Sequence, residues 1–193
     1  MPRAGLTRDR VVAEAAAMAD EVGLSRMTLA ALADRLGVRQ PSLYKHMESM
    51  AGLQRSISLQ SKTELRDVLA RAAVGRSGPD AIQAMSHAYR DWALRHPARY
   101  EASNMMPAPG DTESEAASLA TIQIIADVLA AYELEGDDAV DAIRAFRATL
   151  HGFVSLEAQG GFAMSASIDR SFERLVRGFA VALSRWTEAS DTR

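Results

Sequence analysis

The side chains best suited to chemistry are concentrated between residues 39 and 46. Six polar residues stand there with few interruptions: Arg39, Gln40, Ser42, Tyr44, Lys45 and His46. Nearly all of them donate hydrogen bonds and none is acidic, which suits a polyanionic partner. Arginine and glutamine also match the hydrogen-bonding edges of guanine and adenine in the major groove of DNA. The segment therefore predicts a nucleic-acid contact, although the polar face of a helical hairpin that is merely solvated would have the same composition.

Catalytic chemistry has much weaker support. The chain has 193 residues and no cysteine, which excludes disulfides, thiol nucleophiles and cysteine-bound metals. Two of its four histidines, His87 and His96, are spaced so that they fall on different faces of a helix. No glycine-rich phosphate loop, nucleophile elbow or His-Glu-x-x-His sequence occurs. We therefore expect neither a cofactor nor a bound metal, and a helical enzyme is the less favoured alternative.

The elements that must position the polar segment are two short helices joined by a tight turn. Thr28 begins the first helix and Gly37 ends it, since glycine readily adopts the conformation that such a turn requires. Pro41 lies in the first turn of the second helix, predicted over 40–47, where its missing N–H costs nothing. Apolar residues stand where the two helices would cross: Ala33, Leu36, Val38 and Leu43. A preceding helix runs from Thr7 to Gly23. The pattern predicts a helix-turn-helix head, whose second helix enters the major groove.

The order Thr28-Leu-Ala-x-Leu-Ala-x-Arg-Leu-Gly-Val followed by Pro41-Ser-Leu-Tyr-Lys-His resembles the DNA-binding signature of the tetracycline-repressor-type (TetR) family of transcriptional regulators. The resemblance extends from Thr7 to about Leu53. It departs at two positions, because a small hydroxyl residue is usual at Arg39 and an aromatic residue is usual at Met47. The first departure removes a helix cap and adds a cation, and the second replaces a ring by a flexible apolar side chain.

This resemblance implies a role for each polar residue. Thr28 would bind a DNA phosphate at the start of the first helix of the helix-turn-helix. Tyr44 and Lys45 would bind phosphates that set the register of the protein on the DNA. Base edges would be read by Arg39, Gln40 and Ser42. His46 would contact a phosphate or make a local hydrogen bond. The resemblance also implies a homodimer on double-stranded operator DNA, because two heads about 34–36 Å apart read a palindrome.

The rest of the chain is also predicted to be helical. Apolar residues recur at three- and four-residue steps, prolines stand at boundaries, and no segment alternates as a strand would. Six further helices are predicted over 53–74, 80–96, 97–105, 114–132, 137–158 and 167–186. The predicted fold class is all-α with about nine helices. A helix-turn-helix DNA-binding domain (residues 1–52) precedes a helical-bundle domain for ligand binding and dimerisation (residues 53–193).

The net charge of −3 conceals an asymmetry between these two parts. Residues 1–55 carry eight basic and six acidic side chains, whereas residues 56–193 carry fourteen and nineteen. A weakly basic head before an acidic body is compatible with DNA binding by the head alone.

Two further sets of residues in the body are expected to have functions. A small hydrophobic effector would contact apolar or amphipathic residues on inferred inward faces: Met85, Tyr89, Trp92, Tyr100, Met105, Met106, Ile122, Phe146, His151 and Phe153. Dimerisation would use the apolar stripe of the last helix: Phe172, Val176, Phe179, Leu183 and Trp186. Both sets could instead be core, and a DNA-binding repressor that senses no ligand is the main alternative. The sequence Leu150-His151-Gly152 is similar to a subgroup of the family that carries Trp-His-Gly there.

The location of the protein is also predicted from the sequence. The N-terminus is polar and lacks the apolar core of a signal peptide. No uninterrupted apolar run approaches the ~18–20 residues of a membrane helix. These features predict a cytoplasmic protein with no membrane partner.

Overall fold

The computed structural model describes residues 6–186, and all regular structure among them is helical. Nine α-helices cover this range: α1 (Arg8–Val22), α2 (Leu29–Leu36), α3 (Gln40–Leu43), α4 (Met50–Ala73), α5 (Gly78–Arg95), α6 (Pro97–Ser103), α7 (Thr112–Leu129), α8 (Gly136–Ala158) and α9 (Ile168–Leu183). The predicted all-α class is confirmed. Short 3-10 turns follow α1 and α7, at Leu24–Arg26 and Ala130–Tyr132.

Side-chain caps explain where several helices begin. The hydroxyl of Thr7 accepts a hydrogen bond from the Arg10 amide at 3.2 Å at the start of α1. Ser167 does the same for the Arg170 amide at 3.3 Å at the start of α9. Each contact satisfies one of the amides that a helix N-terminus leaves without an intrahelical partner.

The segment 39–46, which we call the recognition segment, is less helical than the sequence predicts. Helix α3 ends at Leu43, not at Met47, and Tyr44–His46 form a turn. Within this turn the amides of His46 and Met47 both donate to the carbonyl of Leu43, at 2.8 and 3.1 Å. The next helix begins at Met50, three residues before the predicted start, because the Ser49 hydroxyl accepts from the Gly52 amide at 3.0 Å. Tyr44, Lys45 and His46 are therefore presented by a turn.

Other helix ends also fall short of the predictions. The sixth helix stops at Ser103, the seventh continues only as a 3-10 turn after Leu129, and α9 ends at Leu183. Glu133 closes the 3-10 turn in the left-handed conformation, with φ of 53°. Hydrophobic periodicity does not show where such a helix ends, because apolar residues in the turn that follows can keep the same spacing.

The chain divides into two compact units, and each is described by itself. The first joins the chain up to Glu64 with His96–Ala117, and the second joins Leu65–Arg95 with the chain from Ser118 onward. The core of the first unit includes Leu32 and Leu43 of the helix-turn-helix, Ile57 of α4, and Ala98 and Ala102 of α6. The unit that carries the helix-turn-helix thus extends beyond residue 52, and the functional boundary predicted there stays a prediction.

The second unit is built on α5, which packs against α8 and α9. Large apolar side chains from these three helices are buried together: Ile82, Met85, Trp92, Phe146, Leu150, Val154, Phe172, Val176 and Leu183. Their spacing of three and four residues along each helix produces the facing apolar stripes.

Candidate nucleic-acid interface

The helix-turn-helix packs on the apolar core of the first unit. Leu32, Ala33 and Leu43 are buried where α2 and α3 meet, and Met47 is buried after them. Gly37 joins the two helices with φ of 67° and ψ of 33°, and its amide donates to the carbonyls of Ala33 and Asp34. This left-handed conformation is the one that glycine adopts without a steric penalty.

Ion pairs fix α1 against α2. The guanidinium of Arg35 on α2 donates to both carboxylate oxygens of Glu21 on α1, at 2.6 and 2.8 Å, and also to Glu14. The hydrogen bonds from Arg35 lower the pKa of the Glu21 carboxyl.

The first predicted contact, Thr28, caps α2. Its exposed hydroxyl accepts a hydrogen bond from the Ala31 amide at 3.2 Å. The hydroxyl proton stays available for an acceptor outside the chain, because a hydroxyl can accept and donate together. A phosphate at this helix N-terminus would also meet free amides.

The remaining contacts lie together in the segment 39–46. Arg39, Gln40, Tyr44 and Lys45 are exposed, whereas Ser42 and His46 are half-buried. Arg39 precedes α3 in an extended conformation, with φ of −81° and ψ of 142°, and its side chain caps nothing. Among the described residues, the side chains of Arg39, Gln40 and Lys45 have no hydrogen-bonding or ionic partner. Unpaired donors on a rigid support can bind an external acceptor without first breaking a contact within the protein.

A second polar network, which the sequence did not reveal, involves α6 in the first unit. Asp20 on α1 accepts hydrogen bonds from the amides of Ala98 and Arg99, both at 3.0 Å. The Arg99 guanidinium also donates to Asp20 at 2.6 Å and to Glu64 at 2.9 Å, and His96 Nδ1 lies 3.3 Å from Asp20. Asp20 is nearly eighty residues from Ala98 and Arg99, and Glu64 is 35 residues from Arg99, so no local pattern relates them.

The residues predicted to line an effector pocket belong to both units. Tyr100, Met105 and Met106 are in the first unit, and the other seven are in the second. Met85, Trp92, Tyr100 and Phe146 are buried, whereas Tyr89, Ile122 and Phe153 are half-buried. Met105, Met106 and His151 are exposed, Met106 by 88%.

The inward orientation expected of those three exposed residues is therefore corrected. Helix α6 ends at Ser103, so Met105 and Met106 lie in an irregular segment and do not continue its apolar face. His151 lies on the outer side of α8, next to the buried Leu150. Their role toward an effector stays untested.

The stripe predicted for dimerisation divides in the same way. Phe172, Val176 and Leu183 are buried within a single chain, because α9 packs them against α5 and α8. Their burial leaves them little surface for a second copy, and their assignment to a dimer interface stays a prediction. Phe179 and Trp186 are half-buried and their rings are 6.3 Å apart, and Val181 on the same helix is 58% exposed.

The second unit also contains a buried charge cluster around Arg90. Its guanidinium donates to the two oxygens of Glu157 at 2.7 and 2.5 Å and to Asp169 at 2.7 Å. It lies 4.9 Å from the ring centre of Phe172. The donors of this cation are directed at two carboxylates and its face lies against an aromatic ring, so the cluster joins α5, α8 and the start of α9.

Neither a metal site nor a shared histidine site is present in the described part of the chain. No group of three potential ligand side chains comes together there. His87 pairs with Glu173 at 2.7 Å in the second unit, and His96 pairs with Asp20 in the first.

One segment, Thr112–Tyr132, is long and apolar enough to span a membrane, with a mean hydropathy of 1.3. It is not an uninterrupted apolar run, because polar residues such as Gln123 and Asp127 lie within it. A single segment of this kind is weak support for a membrane span, since the core helix of a soluble protein meets the same criteria.

Comparison with known proteins gives consistent matches along the chain. Residues 11–57 match the model of bacterial regulatory proteins of the tetR family, and residues 82–179 match that of the tetracyclin repressor-like C-terminal domain. The latter description names no Trp-His-Gly subgroup, so membership of that subgroup stays a prediction.

Two curated relatives are HTH-type transcriptional regulators described as uncharacterized. One, from Mycobacterium tuberculosis, is 35% identical over 98% of this chain and 87% of its own length. The other, from Bacillus subtilis, is 32% identical over 94% of this chain and 95% of its own length.

Solved structures share the fold at lower identity. A protein of unknown function from Rhodococcus sp. RHA1 has a TM-score of 0.79 at 22% identity, covering 95% of this chain and 98% of that one. TetR from Acinetobacter baumannii AYE has a TM-score of 0.68 at 19% identity, covering 94% and 98%. Together with the unpaired donors on a helix-turn-helix, these matches identify the chain as a member of the TetR family of helix-turn-helix transcriptional regulators.

Proposed function

We propose that the protein is a repressor that binds a palindromic operator as a homodimer and is released by a small hydrophobic effector. The observation that carries the DNA-binding part is the segment 39–46, in which the exposed Arg39, Gln40 and Lys45 have no protein partner among the described residues. Regulators of the TetR family bind operator DNA and act as dimers.

Within this proposal the contact residues divide into two groups. Arg39, Gln40 and Ser42 read base edges, because they lie at the start of α3, where the recognition element enters the groove. Thr28, Tyr44 and Lys45 bind phosphates, and His46, which is half-buried, supports the turn or adds a phosphate contact.

Selection of bound duplexes from a random DNA pool by the purified protein tests the DNA-binding part. At near-physiological salt we expect enrichment of a palindrome whose half-sites are about one helical turn apart. A pool without an enriched sequence would contradict base reading by this segment.

The dimer is proposed to form through α8 and α9. The exposed side chain of Val181 and the half-buried rings of Phe179 and Trp186 leave apolar surface on α9 after the single chain has folded. Sedimentation of the wild type and of Val181→Glu checks this assignment. The substitution is expected to shift a dimer toward monomer, and an unchanged dimer would place the interface elsewhere.

The effector is proposed to bind in the second unit beside Tyr89, Ile122 and Phe153, which are half-buried. A structural neighbour, a TetR variant from Acinetobacter baumannii AYE, was solved in complex with minocycline, with a TM-score of 0.69 to this chain. A ligand that releases DNA must bind more tightly to the released form. We expect some hydrophobic compound to raise the melting temperature and to weaken operator binding together.

A repressor without an effector is the second candidate. The tight burial of Met85, Trp92 and Phe146 favours it, since these side chains already contact protein on all sides. It is supported if no compound in a chemically diverse panel shifts both the melting temperature and DNA affinity. In either case we expect the protein to act in the cytoplasm, where its DNA target is found.

A further inference from the structure

An open cleft of about 480 Å³ lies in the first unit beside the recognition segment. Three elements supply positive residues to its lining: Arg8 from the first turn of α1, Lys45 from the turn after α3, and Arg55 from α4. Glu48 is the acidic residue in that lining. We call this feature the head cleft.

Arg55 does not contribute free charge to the head cleft. Its guanidinium donates to both oxygens of Asp111, at 2.6 and 2.5 Å, and to Glu113 at 2.8 Å. This pairing holds the pKa of the Asp111 carboxyl well below its usual range, so the partner stays ionised at neutral pH. Two carboxylates therefore neutralise Arg55.

Arg8 and Lys45 are not neutralised in this way. Arg8 makes one hydrogen bond, from Nη2 to the uncharged hydroxyl of Ser56 at 3.2 Å. A guanidinium has five N–H donors, so this bond orients Arg8 and leaves most of its donors unused. The ammonium of Lys45 has no partner among the described residues. Two cations thus face one carboxylate, and the head cleft attracts an anion.

We propose that Arg8 and Lys45 together bind one phosphate of the DNA backbone in the head cleft, and that Glu48 weakens this contact. The inference rests on the proposed function and adds α1 to the DNA-binding surface. The side chain of Arg8 can offer two parallel N–H groups to phosphate oxygens, and Lys45 supplies a point charge. This contact carries no sequence information, since every nucleotide presents the same phosphate.

The test measures the dissociation constant against salt concentration for Arg8→Ala and Glu48→Gln. It uses the selected operator and a shuffled duplex of the same length. Loss of one phosphate contact reduces the slope of log K against log salt by about one. Arg8→Ala is expected to weaken both duplexes by the same factor, roughly tenfold. Glu48→Gln is expected to strengthen both.

Two controls distinguish loss of this phosphate contact from a change in net charge and from a loss of stability. Arg174→Ala removes an exposed arginine of α9 in the second unit and is expected to leave the slope unchanged. Arg8→Lys keeps the charge but loses the two parallel N–H groups, so its affinity for both duplexes is expected to lie between those of the wild type and Arg8→Ala. Since Arg8 is exposed, its variants should melt at the temperature of the wild type.

The outcomes distinguish this inference from the proposed function. If the wild type binds its operator and Arg8→Ala behaves as Arg174→Ala does, the phosphate site is overturned and the regulator stands. If Arg8→Ala weakens only the operator, Arg8 reads bases and the inference is also overturned. A wild type that binds neither duplex overturns both.

Discussion

In the recognition segment of the first unit, Arg39 and Lys45 are exposed and have no protein partner among the described residues, whereas Arg90 in the second unit is enclosed by two carboxylates and an aromatic ring. The donors of Arg90 are used in packing within the protein, whereas those of Arg39 and Lys45 are unused. A paired cation stabilises the fold, and an unpaired cation on a rigid support indicates an external anion. Residue type alone does not separate these roles.

The largest expected effect concerns the core that supports the enclosed cation. Phe172 is fully buried and contacts Arg90 and Phe153. Phe172→Ala should lower the free energy of unfolding by about 3–5 kcal/mol, because it removes buried area and leaves a cavity. Urea denaturation measures the change, with Arg174→Ala, at an exposed position of the same helix, as a control expected to stay within about 0.5 kcal/mol. Equal effects at the two positions would contradict the packing of α9.

Removing one partner of Arg90 sharpens the comparison further. The side chains of Arg90 and Glu157 are 10% and 13% exposed, whereas Asp169 is 83% exposed. Glu157→Ala should cost about 3 kcal/mol of stability, because it leaves a buried guanidinium partly unpaired. Asp169→Ala should cost less than about 1 kcal/mol, as exposed pairs do. If both variants cost the same by urea denaturation, Arg90 is not enclosed as described.

Arg39, the contrasting cation, should affect binding instead of stability. Arg39→Ala should lose about 1–3 kcal/mol of discrimination at one base pair of the operator, with no change in unfolding. Lys45→Ala should weaken all duplexes alike. Competition binding against single-base variants of the operator measures both effects. Losses of the same size on operator and random DNA for both variants would remove the proposed division between base and phosphate contacts.

The turn at Gly37, which joins α2 to α3, is expected to give a smaller effect on stability. Gly37→Ala places a Cβ on a residue with φ of 67°, which should cost about 1 kcal/mol. Gly52→Ala in α4 is the matched control, because its φ is not positive and the nearest side-chain atom would be an ordinary 3.5 Å away. We expect the control to be neutral or stabilising in thermal denaturation. A neutral Gly37→Ala would show that the turn tolerates another conformation.

The smallest expected effect is on how the stability of the fold changes at acidic pH. The hydrogen bonds from Arg55 lower the pKa of Asp111, so their stabilisation is present above the ordinary carboxyl pKa near 4 and is lost as the pH falls below it. Asp111→Asn should therefore be slightly less stable at neutral pH and should lose less stability on acidification. Denaturation midpoints between pH 7 and pH 3 compare the two proteins. Parallel curves would mean that this pair is not formed in solution.

The sequence predicted the all-α class and the helix-turn-helix because both depend on local patterns. Gly37 and Thr28 signal a turn and a cap through their own chemistry, and the apolar periodicity identifies buried faces. The turn at Tyr44–His46 was missed because apolar periodicity does not detect a helix that ends after Leu43. The sequence also could not show which apolar residues are buried in the core and which would contact a ligand or a second copy of the chain. Periodicity shows that Phe172 and Phe179 share a face, but only the packing of α5 and α8 decides which of them is covered.

Long-range polar contacts were beyond prediction for a different reason. Asp20 and the start of α6, or Arg90 and Glu157, meet through the tertiary fold and carry no short-range signature. Their charges look like those of any solvated helix face until the partner helix is placed beside them.

The central claim is that the unpaired donors of the segment 39–46 read a palindromic DNA sequence. The most direct measurement is the dissociation constant of the wild type for the selected palindrome, for one half-site, and for a shuffled duplex of equal length and composition, at one near-physiological salt concentration. The account predicts binding of two chains to the palindrome about a thousandfold or more tighter than to the shuffled duplex, with the half-site much weaker. Equal affinity for all three duplexes would contradict it, because the protein would then bind only the phosphate backbone.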